Sequence, residues 1–146
     1  MKSTRRKAAT AAVLAVLALG GTLAATTPAS AATPTRYNGA CGAGYDVIRA
    51  TPVHSSQSTI PATTFVTYNS SAGKVCAVTV RTNPGPRVFM EVTLDTWPHS
   101  SGEVKDSGSY ASYAGPVYKD VPDDGQCLTW SGSFDIYYNS ENGNCT

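Results

Sequence analysis

The clearest periodic pattern in the chain is the stretch VFMEVTLDT. Val88, Met90, Val92 and Leu94 share one side of it, and Glu91, Thr93 and Asp95 share the other. An apolar–polar alternation of period two is what a strand with one face in a core requires, so a half-buried strand is predicted here. KVCAVTVRT repeats the pattern, with Cys76, Val78 and Val80 expected to face inward and Thr79 and Arg81 outward. TTFVTY precedes it, β-branched and aromatic, and NSSAGK stands between the two runs. Together they read as a hairpin from Thr63 to Thr82, with Gly73 at a positive-φ turn position. Tyr45 to Arg49, SGSYASYAG, GPVYKDV, QCLTWSG and SFDIYY are further short strand candidates, separated by Gly, Pro and Asp. PDDG, Pro122 to Gly125, is a turn in which proline presets φ and glycine releases it. No stretch after residue 32 shows helical periodicity. The expected fold is all-β: a single compact antiparallel β-sandwich or barrel of seven to eight short strands, with two disulfides.

The first thirty residues obey a different rule. Lys2, Arg5, Arg6 and Lys7 form a basic head, an uncharged apolar run extends from Ala8 to Ala25, and TPASAA follows. Ala29 and Ala31 then occupy the −3 and −1 positions of a small-residue cleavage site. The strongly apolar part is short against the roughly 20 residues of a spanning helix. Residues 1–31 are therefore read as a signal peptide, cleaved between Ala31 and Ala32, and 32–146 as a secreted β domain with no membrane attachment of its own. Export changes the charge: four of the eleven basic residues leave with the head, so seven face ten acidic ones. A chain of about −3 has no electrostatic reason to hold nucleic acid or an anionic membrane. The remaining 115 residues make one domain. A domain of that size buries only about two-thirds of its unfolded surface, so covalent staples matter to it.

Four cysteines in an exported chain read as two disulfides. Cys41 lies in RYNGACGAGYDVI, whose glycines could suggest a phosphate loop. A dinucleotide loop needs a strand before the glycines and a helix after them, and neither is in place. Three pairings are open for four cysteines. Cys41 with Cys76 and Cys127 with Cys145 is favoured, because it ties the new N-terminus to the hairpin and secures the tail. Cys41 with Cys145 and Cys76 with Cys127 is the main competitor.

The sites for chemistry are sparse, and no catalytic residue, metal or cofactor is expected. His54 and His99 lie in loop-like settings without a nucleophile elbow. Glu91 and Asp95 sit four apart on the polar face of one strand, the ordinary place for solvated carboxylates. Asp120, Asp123 and Asp124 form an acidic turn without EF-hand spacing. Aromatic residues are more suggestive: Tyr110, Tyr113, Tyr118, Tyr137 and Tyr138 crowd the last third beside Trp130. Tyrosine combines an apolar ring with a polar tip, and Tyr110, Tyr113, Tyr118 and Trp130 are the candidate binding face. Arg87, after Pro86 in TNPGPRVF, could alternatively be presented to a serine protease by an exposed loop.

RYNGACGAGYDVI, VTYNSSAGKVCAVTVR, SYASYAGPVYKDVPDDGQCLTWSGS and the near-terminal Cys145 together resemble the spore-associated protein A family of filamentous actinobacteria. The resemblance covers most of the chain after residue 31 and is weakest between Asn83 and Ser107. Cys41, Cys76, Cys127 and Cys145 match family cysteines, and relatives tend to end in His-Cys-Gly where Asn144-Cys145-Thr146 stands here. The resemblance implies a small exported protein of the spore surface and transfers no catalytic residue. The function expected is that of a non-enzymatic extracellular protein on the spore or cell envelope, with a structural or interaction role. A module binding wall glycan and a small serine-protease inhibitor are the alternatives.

Overall fold

The computed structural model describes residues 35–57, 59–98, 102–122 and 125–143. The predicted signal segment with its cleavage site at Ala31 and Ala32, His99, Asp123, Asp124 and Cys145 lie outside the described residues. Eight strands follow one another: β1 (Asp46–Val53), β2 (Ala62–Asn69), β3 (Lys74–Arg81), β4 (Val88–Trp97), β5 (Val104–Tyr110), β6 (Tyr113–Asp120), β7 (Cys127–Phe134) and β8 (Tyr137–Gly143). They build two four-stranded sheets, ordered β1-β2-β3-β6 and β5-β4-β7-β8, with antiparallel pairing throughout. Neither sheet closes into a barrel, so the sandwich is the alternative realised. The chain changes sheets between β3 and β4, β5 and β6, and β6 and β7. Those crossings place β6 beside β3 and β7 beside β4.

The core between the sheets joins Val66, Val75, Ala77, Ala114 and Val117 of the first to Met90, Val92, Leu94, Leu128 and Trp130 of the second. β4 follows its predicted alternation, with Met90, Val92 and Leu94 fully buried. β3 does not: Val75 and Ala77 point into this core, while Cys76, Val78 and Val80 join Phe65 and Cys41 in a second cluster. Apolar residues fill five of the six positions from Val75 to Val80, so period two alone selects no unique inner face. Thr79, expected outside, is fully buried, and its hydroxyl lies 3.1 Å from that of Thr64.

The second cluster is covered by the segment ahead of β1, whose Tyr37, Ala40 and Tyr45 pack against it. Tyr37 meets Phe65 with ring centroids 5.6 Å apart. The Cys41–Cys76 disulfide fastens this strap to β3, with Cα atoms 6.1 Å apart and both residues buried. By the chain-entropy relation, closing a loop of about 36 residues stabilises the fold by up to about 3.8 kcal/mol. This bond excludes the competing pairing. Cys127 is disulfide-bonded as well, but its expected partner, Cys145, lies outside the described residues. The structure thus describes one of the two expected bridges in full.

Gly73 takes its predicted positive φ of 61° in the β2–β3 turn. Two other strand candidates each straddle a turn: SGSYASYAG covers the end of β5 and the start of β6, and SFDIYY joins β7 to β8. In the latter, Asp135 supplies the left-handed residue, φ 56°.

A polar knot crosses the apolar core. Asn139 of β8 donates from Nδ2 to the Thr51 carbonyl oxygen at 2.7 Å, while its Oδ1 accepts from the Gly132 N–H at 2.8 Å. The Thr64 hydroxyl completes it at 3.1 Å from Asn139 Nδ2. Buried polar groups persist only when satisfied in this way.

Candidate functional site

The four aromatic residues predicted to share a face are dispersed. Alternation along β7 turns Leu128 and Trp130 inward, and Trp130 is only 2% exposed. Its indole Nε1 donates to the Thr51 hydroxyl at 2.9 Å. Trp130 is a core residue and presents nothing to a ligand. Tyr118 projects from the opposite side of the first sheet, where its hydroxyl donates to the Cys41 carbonyl oxygen at 3.2 Å. Its ring meets that of Tyr45 edge-on, centroids 5.7 Å apart. Burial, followed by the neighbouring Tyr45 and Tyr37, raises its phenol above the ordinary tyrosine value. Tyr118 is thereby a clasp for the strap.

Tyr110 and Tyr113 do come together, at the two ends of the short β5–β6 connection, and Arg87 joins them. A depression of about 300 Å³ is lined by Arg87, Tyr110, Ala111, Ser112, Tyr113 and Gly115. The loops that form it are tied together by Arg81. That guanidinium stands 5.1 Å over the Phe134 ring and donates from Nη1 to the carbonyl oxygens of Pro86 (2.7 Å), Ala111 (3.0 Å) and Gly85 (3.3 Å). The β3–β4 loop and the β5–β6 connection are tied together by these bonds. The Arg81 and Gly85 N–H groups reinforce them by donating to the Ser112 and Ala111 carbonyls.

Arg87 is fixed by one bond, from Nη1 to the Ser109 carbonyl oxygen at 3.0 Å. Among the described residues, no carboxylate lies within ion-pair distance of it. Asp106 is engaged by two residues of the lining: its Oδ1 accepts from the Tyr110 hydroxyl and its Oδ2 from the Gly115 N–H, both at 2.6 Å. That hydrogen bond, with burial second, raises the Tyr110 phenol. Gly115 has φ 95°, and a Cβ there would crowd the Ala77 carbonyl and Val92 Cγ1 at 3.0 Å. Only glycine brings the chain this close to β3 and β4.

Among proteins of known description, Spore-associated protein A of Streptomyces coelicolor is 39% identical over 126 residues, covering 84% of this chain and 77% of that protein. The chain belongs to the spore-associated protein A family. No protein-family profile matches it, and no solved structure does.

This spore-associated protein A family member has a larger cleft at the opposite end of the sandwich, about 480 Å³, lined by Lys74, Tyr118, Lys119, Asp120 and Gln126 among others. Its amines are already paired. Lys74 Nζ lies 2.6 Å from Asp120 Oδ1, which holds the carboxyl below its usual range and the amine above its own. Lys119, nearly buried, donates to the Gly102 carbonyl and stands 3.3 Å from Asp95 Oδ1. Asp95 is thus engaged with Lys119, and Asp120 of the acidic turn with Lys74. His54 is exposed in the β1–β2 connection. Among the described residues no group of three or more His, Cys, Asp or Glu side chains stands together. Arg81, which ties together the loops around the small depression, carried no signal in the sequence beyond its outward position on β3. Its role depends on the Ala111 carbonyl, 30 residues away, meeting those of Gly85 and Pro86 in the adjoining loop.

Proposed function

We propose that this family member is an exported, non-enzymatic protein of the spore or cell-envelope surface, where it acts as a structural or interaction module. The likeness to Spore-associated protein A carries the reading. The signal-like leader and the buried Cys41–Cys76 bond, suited to an oxidising exterior, support it. The second bridge is read as Cys127–Cys145. The test is fractionation: immunodetection of the chain on extensively washed spores is expected. Recovery from the culture medium alone would remove the reading.

The second reading is envelope-glycan binding, and one observation favours it. The small depression combines exposed tyrosine, serine hydroxyl and guanidinium, the groups that recognise a sugar ring and its substituents. Trp130 and Tyr118, held in the core and against the strap, take no part. Retention on purified cell-wall polymer is expected, and passage of the protein through such a column without delay would exclude this reading.

A further inference from the structure

We propose that the Arg87 depression is a subsite for a sugar that carries an anionic group, a carboxylate or a phosphate. Arg87 binds the anion and Tyr113 lies against the ring. The proposal rests on the glycan-binding reading and names the ligand chemistry of that site.

The first argument is the balance of donors and acceptors. The carbonyls of Ala111 and Ser112 in the lining, and those of Gly85, Pro86 and Ser109 in the adjoining segments, are engaged by Arg81, Arg87 and the Gly85 N–H. Both oxygens of Asp106 are engaged by Tyr110 and Gly115. The lining side chains leave the remaining N–H groups of Arg87, which only donate, together with the Ser112 and Tyr113 hydroxyls, which can donate as well as accept. Such a site favours a ligand that presents oxygens.

Charge gives the second argument. Lys74 and Lys119 in the larger cleft each stand beside a carboxylate, so an incoming anion would compete with a pair already made. Among the described residues, the partner of the Arg87 guanidinium is a neutral carbonyl, and that bond anchors one nitrogen of an exposed side chain. A planar fork held from one side is suited to two oxygens of one anion. The domain as a whole is acidic, so the preference must come from this local geometry rather than from a general field.

Size and surface give the third. A volume of about 300 Å³ lies at the lower end of small-molecule sites, room for one ring rather than a long segment. Tyr113 is 39% exposed at the rim. Its ring offers an apolar face to the C–H side of a sugar, and its hydroxyl reaches the polar side.

The experiment titrates the purified secreted domain with glucuronic acid, glucose 6-phosphate and glucose, followed by backbone amide NMR shifts. Shifts at Ser109 to Gly115 are expected with at least one anionic sugar, with an affinity about tenfold or more above that for glucose. The two anionic arms identify which group is preferred. Arg87→Ala should abolish that preference and Arg87→Lys retain part of it, since lysine keeps the charge without the fork. Tyr113→Ala should weaken the anionic sugar but leave inorganic phosphate, added as a separate probe, unaffected. Failure of both anionic sugars to shift these amides, or equal binding by Arg87→Ala, would overturn the subsite. The wall-polymer column separates the two levels. Equal retention of wild type and Arg87→Ala would refute the subsite while leaving glycan binding intact, whereas no retention of wild type refutes glycan binding itself.

Discussion

At the scale of single residues, the sandwich leaves no slack where its sheets meet most closely. A Cβ on Gly132 would overlap the hydroxyls of both Thr64 and Thr79. Gly132→Ala is expected to lower stability by about 1–3 kcal/mol, since a packed core answers an extra methyl with displaced backbone; urea unfolding measures it, and an unchanged midpoint would contradict the packing. Asn139→Ala should cost about 1–3 kcal/mol, because it strands the Gly132 N–H and the Thr51 carbonyl without partners. Two tyrosines report on their surroundings through pH. The Tyr110 and Tyr118 phenols are raised above the usual value of about 10. The folded state therefore holds their protons longer than the unfolded chain does. Stability from these groups is full below the ordinary tyrosine range and falls as pH climbs toward the raised values. A spectroscopic phenolate titration of the native protein should show two late-ionising tyrosines; uniform ionisation near 10 would be the contrary result.

At the scale of elements, the strap ahead of β1 determines which surfaces of the first sheet are core. Without it, Phe65, Val78 and Val80 would lie open on a solvent face. Replacing both Cys41 and Cys76 by Ala is expected to destabilise the protein by up to about 3.8 kcal/mol and to increase binding of a hydrophobic dye. A variant with unchanged stability and no dye binding would mean that the strap covers nothing of consequence. The contrast between β3 and β4 shows how much was legible here. VFMEVTLDT alternates cleanly, and its buried side could be read directly. KVCAVTVRT was read as alternating in the same way, with Thr79 outward, but Val75 and Ala77 make its other side apolar too, and the structure buries both. Turns were legible where chemistry forced them, as at Gly73. The Asp135–Ile136 turn was hidden because the apolar and aromatic residues around Asp135 read as one strand, although aspartate tolerates the left-handed position it takes.

At the scale of the whole molecule, the prediction concerns covalent state. The intact mass of the native protein should be four hydrogens below the fully reduced value, and non-reducing peptide maps should yield Cys41–Cys76 and Cys127–Cys145. Any free thiol in the native protein would contradict the assignment. The candidate site was legible only in pieces. Arg87, Tyr110 and Tyr113 were singled out for separate reasons, one as a protease-facing loop residue and two as part of an aromatic face. Their meeting depends on the β3–β4 loop lying against the β5–β6 connection, an arrangement made by Arg81 and by the crossing of the chain between sheets.

Local pattern was enough to read an all-strand domain, a cysteine staple at Cys41 and the family resemblance, because each is written in spacing or in residue type along a short stretch. Burial of Trp130, inversion of β3 and assembly of the Arg87 depression were decided by the tertiary structure alone. The reason is physical: a period of two divides a strand into two faces, but which face is covered depends on segments far away in sequence that come to lie on it.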